Sequence, residues 1–414
     1  MSLIVQKYGG TSVGTLDRIR NVAARAVKAH RAGNQVVVTV SAMAGETNRL
    51  VALVEDLSGG DYSKREYDVV VSTGEQVSIG LLAIAIETLG VPARSYQGWQ
   101  VRFVTDSVYS KARILDVEAE RIRADLAQGR IVVVAGFQGM DQEGSVTTLG
   151  RGGSDTSAVA LAAALEADFC DIYTDVDGVY TTDPRIVPKA RKLERISYEE
   201  MLEMASLGAK VLQTRSVELA MKYNVPVRVL SSLEEGTGTL LTKEDDVMEQ
   251  VVVSAIAFNR DEAQITVTGV PDKPGVAALI FGTLADANIN VDMIIQNISA
   301  SSGDTDVTFT VPKGDYKQAL AILKEPVGRI GATSVTGDPD IAKVSVIGVG
   351  MRSHSGVARR MFKALSADNI NIRMISTSEI KISVVIDEKY MELAVRSLHQ
   401  AFELDKDAGD RVRD

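Results

Sequence analysis

Residues 130–137 have the sequence RIVVVAGF, a short apolar run that leads into a glycine. A strand that is apolar on both faces is typical of a parallel sheet covered by helices on both sides. Residues 35–40, QVVVTV, form a second run of this kind, and helical patterns at residues 18–32 and 154–167 lie between predicted strands. Further strands are predicted at residues 3–7 and 170–174. This alternation predicts an α/β sandwich around a mainly parallel sheet.

The composition limits the size, partners and compartment of the protein. With 414 residues, 45% of them hydrophobic, the chain is expected to form two or three domains. Its net charge of -10 argues against nucleic-acid binding, which normally needs a basic surface. The single cysteine, Cys170, excludes an internal disulfide framework and a cysteine-based zinc cluster. We find no signal segment and no run of 18 uncharged apolar residues, so we expect a cytoplasmic protein without a membrane partner.

The C-terminal part of the chain contains an internal repeat. Residues 275–294, GVAALIFGTLADANINVDMI, match residues 356–375, GVARRMFKALSADNINIRMI, at a constant offset. Each copy predicts a strand, a glycine turn, a helix, an N-I-N break and a strand, then a further strand, helix and strand. We therefore expect two βαββαβ units after a charged linker at residues 242–250.

The second copy is one strand short in the sequence that follows it. Residues 251–258, VVVSAIAF, precede the first copy and are predicted to be a strand. We expect this strand to complete the second copy, so that the first copy is inserted within it. The predicted domains are residues 1–245, residues 264–336, and residues 250–263 together with 340–404.

Four loops of the N-terminal part are candidates for ligand binding, because ligands of open α/β sheets bind beyond the carboxyl ends of the strands. The first is residues 7–14, KYGGTSVG. Its adjacent glycines let backbone amides approach a phosphate, and Lys7 supplies a cation at the end of the strand. A tight turn with a surface lysine explains the same residues.

The second and third loops have a ligand interpretation and a purely structural one. Residues 41–48, SAMAGETN, place Ser41 where it either binds a ligand or caps the next helix. Residues 72–76, STGEQ, place Glu75 before a very apolar helical run. Its carboxylate either complements the helix dipole or binds an ammonium group.

The fourth loop is residues 148–158, TLGRGGSDTSA, at the start of an alanine-rich helix. Its glycines allow close approach of the backbone, and Ser154 or Asp155 is predicted to be the helix N-cap. Arg151 carries a planar guanidinium that suits a carboxylate or a phosphate. The loop matches neither the P-loop pattern nor G-x-G-x-x-G, so it supports neither of those nucleotide-binding motifs.

Residues 172–185 are dense in turn-forming and polar residues and contain two tyrosines. A solvated turn is the commoner outcome for such a segment, but it also offers contacts for a nucleoside. Lys210 and Arg215 lie in a helical pattern further on, where they are either surface residues or contacts for a phosphate.

Three of these motifs together resemble the signature set of the aspartokinase family, within the amino acid kinase superfamily. They are KYGGTSVG at residues 7–14, TLGRGGSDTSA at 148–158 and YTDVDGVYTTDPR at 173–185. The two repeats resemble the paired ACT regulatory domains of that family. The resemblance covers essentially the whole chain in the right order. It implies a three-layer amino acid kinase sandwich followed by two ferredoxin-like ACT domains.

The resemblance implies that the protein phosphorylates the side-chain carboxylate of L-aspartate with MgATP. The products would be 4-phospho-L-aspartate and ADP, at the first step of lysine, threonine and methionine synthesis. A carboxylate is already ionised at neutral pH, so this reaction needs no general base. Consistently, His30, His354 and His399 all lie outside the candidate loops. Mg²⁺ is expected to be bound mainly by ATP phosphates and water, and no protein ligand is assigned to it.

The resemblance also implies roles for individual residues. Lys7 and Asp155 would be catalytic, with Lys7 stabilising the charge on the transferring phosphoryl group. The implied aspartate-binding residues are Ser41, Glu75, Arg151, Gly152, Gly153 and Ser154. The implied ATP-binding residues are Lys7, Tyr8, Gly9, Gly10, Thr174, Asp175, Tyr180, Asp183, Arg185 and Lys210.

The ACT resemblance implies an effector site in the first copy, where residues 272–275 have the sequence DKPG. The following helix N-terminus would hold the carboxylate of an amino acid, with lysine and threonine as the implied effectors. Alternatively, N-I-N only stops the helix. The second copy has SHSG at residues 353–356 and is expected to bind weakly or only to pair domains. The implied effector residues are Asp272, Pro274, Gly275, Val276, Ala277, Asn290, Val291, Asp292 and Gln296.

Assembly through the ACT domains is a further expectation, as a homodimer or a higher oligomer. Met248, in the predicted linker, permits a separate small subunit made from an internal start.

Two other functions stay open at this point. Another amino acid kinase, acting on glutamate, N-acetylglutamate, carbamate or UMP, would share the sandwich and the glycine loops. It would not be expected to carry both KYGGTSVG and twin ACT repeats. A non-catalytic amino-acid sensor would keep the repeats, but the presence of Lys7, Arg151 and Asp155 disfavours it.

Overall fold

The computed structural model describes residues 1–208, 211–245, 251–298, 304–352 and 354–407. These residues form two compact units. Lys210, Met248 and Ser353, which the sequence had singled out, lie outside the described residues. The first unit contains residues 1–179, 192–206 and 211–245, and the second contains residues 180–191, 207–208 and those from 251 onward.

Strands and helices alternate along the first unit, as the apolar runs predict. Its strands are β1 (Leu3–Tyr8), β2 (Gln35–Val40), β3 (Ala93–Tyr96), β4 (Phe103–Thr105), β5 (Ile114–Val117), β6 (Ile131–Ala135), β7 (Gln138–Met140), β8 (Val146–Thr148), β9 (Phe169–Thr174), β10 (Arg195–Ser197), β11 (Val227–Ser231) and β12 (Thr239–Thr242). Its helices are α1 (Leu16–Arg31), α2 (Glu46–Ser58), α3 (Lys64–Val71), α4 (Thr73–Thr88), α5 (Glu120–Ala127), α6 (Gly153–Leu165), α7 (Tyr198–Ser206) and α8 (Thr214–Tyr223).

The main sheet of this unit has the strand order β10-β12-β11-β9-β1-β2-β6-β3 within the described residues. All of its described pairings are parallel except that of β11 with β12. Val36 and Val38 of β2 pack with α1 and α4, whereas Val37 faces the other side of the sheet and is equally buried. Both faces are therefore covered, and the predicted α/β sandwich with a mainly parallel sheet is confirmed.

A smaller sheet with the order β5-β4-β7-β8 lies in the same unit. Helices α3 and α4 together, Lys64–Thr88, form the one stretch of the described chain that is long and apolar enough to cross a bilayer by length and composition. Half of its most apolar window is buried inside the protein, and α4 contains the buried carboxylate of Glu75. These are the features of a core helix that covers a sheet.

The second unit contains two four-stranded antiparallel sheets among its described residues. Its strands are β13 (Ala255–Asn259), β14 (Glu262–Pro271), β15 (Ile294–Ile298), β16 (Asp304–Pro312), β17 (Ser334–Asp338), β18 (Ile341–Ile347), β19 (Met374–Thr377) and β20 (Lys381–Asp387). Its helices are α9 (Val276–Asp286), α10 (Tyr316–Ile330), α11 (Val357–Ala367) and α12 (Met391–Ala401).

The two sheets have the same layout but close in different ways. The first has the order β15-β16-β14-β17, and its last strand follows its own second helix in the sequence. The second has the order β19-β20-β18-β13, so that β13, from before the first repeat, lies antiparallel beside β18. The strand before the first repeat thus occupies, in the second sheet, the position of β17 in the first. The exact domain boundaries given above remain a prediction.

Turns at both ends of the first helix in each repeat explain four of the repeated residues. Gly275 and Gly356 are the N-caps of α9 and α11 and have φ of 95° and 101°. Asn288 and Asn369 follow the same helices with φ of 56° and 54°. Asparagine adopts this left-handed conformation more readily than other residues with a Cβ. Stopping the helix is therefore one role of the N-I-N motif in both copies.

Residues 180–191 depart from the predicted boundary at residue 245, since they group with the second unit. Val187 is 7% exposed and belongs to the apolar core formed by α11, α12 and the second sheet. Burial of this segment against the second repeat explains the difference. The position of this segment in the sequence did not indicate that it belongs to the second unit.

Candidate functional site

The site lies where neighbouring parallel strands of the first unit end. Lys7 of β1 pairs in register with Thr39 of β2 and with Ile172 of β9. The loops after β1 and β2 therefore leave the sheet side by side, which is where α/β sheets bind ligands. Helix α6 begins at Gly153, and its first turn lies above this edge of the sheet.

Lys7 and Asp155 form an ion pair at the centre of the site. The Lys7 Nζ lies 2.5 Å from the Asp155 Oδ1, and the two side chains are 12% and 10% exposed. Lys7 faces the side of the sheet opposite Tyr8, because neighbouring side chains of a strand alternate. The resemblance had named these two residues as the catalytic pair, and the structure brings them into contact.

Glycines allow the backbone of the first loop to come close to its neighbours. A Cβ on Gly10 would lie 2.8 Å from the carbonyl oxygen of Ala42, in the loop after β2. A Cβ on Gly9 would lie 3.5 Å from the Lys7 Nζ, so glycine keeps the space beside the ammonium free. Gly10 is therefore needed for packing against the neighbouring loop, and Gly9 leaves room for a ligand.

The start of α6 differs from the sequence prediction. Gly152, with φ of 70°, is the N-cap, and it makes no side-chain capping bond, so the prediction that Ser154 or Asp155 caps the helix was wrong. Because the helix starts earlier, both side chains are free for other contacts. The hydroxyls of Ser41 and Ser154 lie 2.9 Å apart, and Asp155 pairs with Lys7.

Glu75 lies in the first turn of α4, which follows helix α3 and not a strand. The expectation that all four loops follow strands was therefore wrong for the third. Its Oε1 accepts a hydrogen bond of 3.0 Å from the Ala42 N–H, whereas its buried Oε2 has no hydrogen-bond partner among the described residues. Burial raises the pKa of the Glu75 carboxyl to about 7, an effect that the backbone hydrogen bonds only partly oppose.

A cleft of about 1240 Å³ joins these loops. Arg151 lies exposed along it and has no hydrogen bond or ion pair to another residue in the described part of the chain. Six basic side chains and three acidic ones line the cleft, in contrast to the net charge of -10 for the whole chain. Such a lining attracts anions. The predicted residues that line it are Lys7, Ser41, Glu75, Arg151, Gly152, Gly153, Ser154 and Asp155.

Two residues have supporting roles that the sequence did not indicate. Arg215 donates to the carbonyl oxygens of Leu149, at 2.6 Å, and Ala112, at 2.8 Å, and so holds the backbone that leads to Arg151. Arg215 also lines the cleft, and its contact with a phosphate stays a prediction. Asp68 is fully buried and accepts three hydrogen bonds from Ser110 and Thr148. No local sequence signal marks either residue, because their partners are distant in the chain.

The predicted ATP-binding residues are divided between the two units. Thr174 ends β9 and Asp175 follows it in the first unit, whereas Tyr180, Asp183 and Arg185 belong to the second. Arg185 is bound to Asp183, with its Nη2 2.7 Å from the Asp183 Oδ2.

The Tyr8 ring, also predicted to contact ATP, is completely buried. It stacks on the ring of Tyr173, with centroids 4.5 Å apart and planes at 4°. The Tyr8 side chain therefore packs inside the protein and supports the loop at residues 7–14.

The predicted effector residues surround the start of α9 and the strand that follows it. Most of them are exposed, with Val276 and Val291 half-buried. Asp292 is engaged already, since the Lys343 Nζ contacts its Oδ2. Lys343 also lies 2.5 Å from the Glu262 Oε1, in an ion pair whose two side chains are 5% and 6% exposed. The exposed effector residues are Asp272, Pro274, Gly275, Ala277, Asn290, Asp292 and Gln296.

Comparison with family models gives two matches. Residues 2–231 match the amino acid kinase family. Residues 265–326 and 344–402 match the ACT domain. Both matches fall on the parts of the chain where the sequence motifs and the repeats had been found.

Individual proteins match over the whole length. An aspartokinase of Pseudomonas aeruginosa is 63% identical over 410 residues, which cover 99% of each chain. The crystal structure of E. coli aspartokinase III in complex with aspartate and ADP has a TM-score of 0.81 at 28% identity, covering 97% of this chain and 100% of that one. A second structure of that enzyme, in complex with lysine and aspartate, has a TM-score of 0.77 at 29% identity, covering 96% and 99%.

Proposed function

Since this chain belongs to the aspartokinase family, we propose that it transfers the γ-phosphoryl group of ATP to the side-chain carboxylate of L-aspartate. The products are 4-phospho-L-aspartate and ADP, at the first step of lysine, threonine and methionine synthesis. The observation that carries this proposal is the Lys7–Asp155 pair at the start of α6, inside a cleft whose charged side chains are mainly basic. The relatives found by comparison are aspartokinases, and they give no support to another amino acid kinase or to a non-catalytic sensor.

The reaction requires charge neutralisation and positioning of the two reacting groups, and it requires no proton transfer. A carboxylate oxygen of aspartate attacks the γ-phosphorus, a new O–P bond forms, and the bond to the β,γ-bridging oxygen breaks. ADP leaves with the electron pair, so no proton changes place. Because two anions must approach one another, the protein has to supply fixed positive charge and in-line geometry.

Lys7 supplies that charge in our proposal. Its ammonium would contact the oxygens of the transferring phosphoryl group, beside the amides of Gly9 and Gly10. Asp155 holds the ammonium at 2.5 Å and so fixes its direction. Lys7 thus stabilises the transition state, and Asp155 orients Lys7 or the reacting groups.

The aspartate side of the cleft is assigned to the remaining loops. Arg151, which has no partner among the described residues, would bind a carboxylate of the substrate through its planar fork. The unpartnered oxygen of Glu75 would accept from the α-ammonium group. Ser41 and Ser154 would add hydrogen bonds, and Gly152 and Gly153 would let the backbone approach the substrate closely.

The ATP side comprises Gly9, Gly10, Thr174, Asp175, Tyr180, Asp183, Arg185 and Lys210, besides Lys7. Tyr8 would contribute only its backbone, because its ring is buried. Mg²⁺ would be bound by the phosphates of ATP and by water, which needs no protein cage. When bound, Mg²⁺ neutralises charge on the phosphates.

Regulation by lysine and threonine at the first repeat is part of the proposal. The complex of E. coli aspartokinase III with lysine supports the first of these effectors. We also propose that the protein assembles as a homodimer or larger oligomer through the ACT domains. A small subunit starting near Met248 and a cytoplasmic location are the remaining parts of the proposal.

One assay tests the activity. The purified protein is incubated with MgATP and aspartate, glutamate or no acceptor, and hydroxylamine traps the acyl phosphate as a hydroxamate. We expect hydroxamate and ADP only with aspartate. Absence of an aspartate-dependent hydroxamate would overturn the proposal. Repeating the assay with lysine and threonine, singly and together, tests the effectors, and insensitivity to both would count against them.

A further inference from the structure

Residues 180–191 form a segment, here called the strap, that leaves the first unit after Val179 and returns to it at Lys192. The ends of the strap pair with each other, since the Thr181 N–H donates to the Arg191 carbonyl at 2.8 Å. The Arg191 N–H donates in turn to the Thr181 hydroxyl at 3.0 Å. The strap is therefore a closed loop with a defined neck.

The neck is fixed to the second repeat by polar contacts. The Ile256 N–H of β13 donates to the Thr181 carbonyl at 2.8 Å. The Thr181 hydroxyl lies 2.9 Å from the Nε2 of His399, on α12. Thr181 is fully buried and His399 is 2% exposed. Buried polar groups that are fully partnered define one arrangement, because any displacement leaves them unsatisfied.

The middle of the strap is fixed to the same repeat by apolar packing. Val187 belongs to the core of α11, α12 and the second sheet, and Ile186 and Ala190 pack against that core. The Asp183 carbonyl accepts from the Ile186 and Val187 N–H groups, each at 3.0 Å. The position of Asp183 is therefore linked directly to residues that the second repeat buries.

We propose that Thr181 and His399 are positioning residues for ATP, which act by holding the strap on the second repeat. The strap carries Tyr180, Asp183 and Arg185, and this inference rests on their proposed role in nucleotide binding. The second repeat lacks the Asp and Pro of the effector turn found in the first. Anchoring a nucleotide-binding segment gives that repeat a function that needs no bound amino acid.

The test compares pairs of variants in the full-length protein. Thr181→Val keeps the size of the side chain but removes the hydroxyl, and Thr181→Ser keeps the hydroxyl. We expect Thr181→Val to raise both the KM for ATP and the dissociation constant for ADP about tenfold, as for the loss of one buried hydrogen bond. Thr181→Ser should stay within about twofold of the parent protein. His399→Leu and His399→Gln form a second, independent pair with the same expected contrast.

Ser345→Ala is the matched control. It removes the buried Ser345 hydroxyl, which lies 2.7 Å from that of Ser383 in the same repeat, and leaves the hydrogen bonds of the strap in place. The KM for aspartate should stay unchanged in all variants. The inference is overturned if folded Thr181→Val and His399→Leu proteins bind ATP normally. It is also overturned if Ser345→Ala weakens ATP binding equally, or if the KM for aspartate rises in parallel.

Two measurements separate this inference from the function on which it rests. Asp183→Ala and Arg185→Ala should raise the KM for ATP directly. If they do not, the nucleotide role of the strap is wrong, whatever the neck variants show. If they do while the neck variants have no effect, only the anchoring by Thr181 and His399 fails. Absence of aspartate-dependent hydroxamate from the parent protein would instead contradict the activity itself.

Discussion

Two lysines, one in each unit, have nearly the same immediate surroundings. Lys7 lies on β1 with its Nζ 2.5 Å from Asp155, and Lys343 lies on β18 with its Nζ 2.5 Å from Glu262. Both side chains are largely buried. Lys7 borders a cleft, and Gly9 leaves space beside its ammonium. Lys343 is enclosed between the two four-stranded sheets of the second unit and also binds Asp292.

The difference shows that a buried lysine–carboxylate pair does not by itself indicate catalysis. For Lys343, burial lowers the pKa, but the charges of Glu262 and Asp292 outweigh it, and the pKa is raised overall. Its charge is thereby committed to holding the repeats together. Lys7 has one carboxylate partner in the described structure and open space on its other side, so its charge is available to a ligand.

The largest expected effect is on catalysis. Lys7→Ala should lower kcat about a thousandfold, because it removes the positive charge at the transferring phosphoryl group. Thermal unfolding should shift little, since Asp155 can be solvated from the cleft. Hydroxamate formation at saturating aspartate and ATP measures kcat. A variant that keeps a tenth of the parent kcat would mean that Lys7 is structural, like Lys343.

Lys343→Met should have the opposite profile. Removing one partner of a buried ion pair should cost about 3 kcal/mol of unfolding free energy, near the lower end for such pairs. Asn259 still donates to Glu262 at 3.0 Å, which limits the loss. Denaturant unfolding measures stability, and kcat should stay within about twofold of the parent value. In the double variant with Glu262→Gln, part of the stability should return; a further loss would contradict the pairing argument.

Arg151→Ala tests the charge that has no partner among the described residues of the cleft. We expect the KM for aspartate to rise about thirtyfold, as for loss of a charge-assisted hydrogen bond of about 2 kcal/mol, with kcat little changed. Arg151→Lys should recover only part of the affinity, because a lysine keeps the charge and loses the planar fork. Initial rates at varied aspartate give both constants. A fall in kcat without a change in KM would place Arg151 at the phosphoryl group.

The smallest effect concerns pH. The pKa of Glu75 is raised to about 7 by burial, so its ionised fraction increases as the pH rises from 6 to 8. An ammonium group binds the ionised form, and kcat/KM for aspartate should therefore rise about tenfold over this range. Glu75→Gln should remove this titration and raise the KM. A variant that keeps the same pH profile would show that another group is responsible.

Much of the site was predictable because its residues cluster in loops with recognisable composition. Lys7, Ser41, Arg151 and Asp155 follow or precede apolar runs, and parallel strands bring their ends to one edge of the sheet. The capping role of Ser154 and Asp155 was predicted wrongly, because contacts with Ser41 and Lys7 outweigh a local capping preference. The supporting roles of Arg215 and Asp68 could not be predicted, since both bind backbone that is far away in the sequence.

The fold was predictable where the apolar pattern within one strand or helix shows which of its faces is buried. Strands β1, β2, β6 and β9 begin and end within a residue or so of the predicted limits, because their apolar runs need cover on both faces. The packing of the strap on the second repeat could not be predicted, since its mixture of polar and apolar residues is typical of an ordinary loop. Its association with the second repeat depends on a pocket built from α11, α12 and β13.

By itself the sequence determined the alternating strands and helices, the repeat, and the glycine-rich loops, because these depend on periodicity and on local backbone conformation. The tertiary structure alone decided which charges are paired and which are accessible. The carboxylate partners of Lys7 and Lys343 cannot be identified from local sequence, since each lysine lies on a strand and meets a carboxylate that is distant in the chain. Packing leaves a cleft beside the first and encloses the second between two sheets, and that difference in access separates the charge that we propose to be catalytic from a structural one.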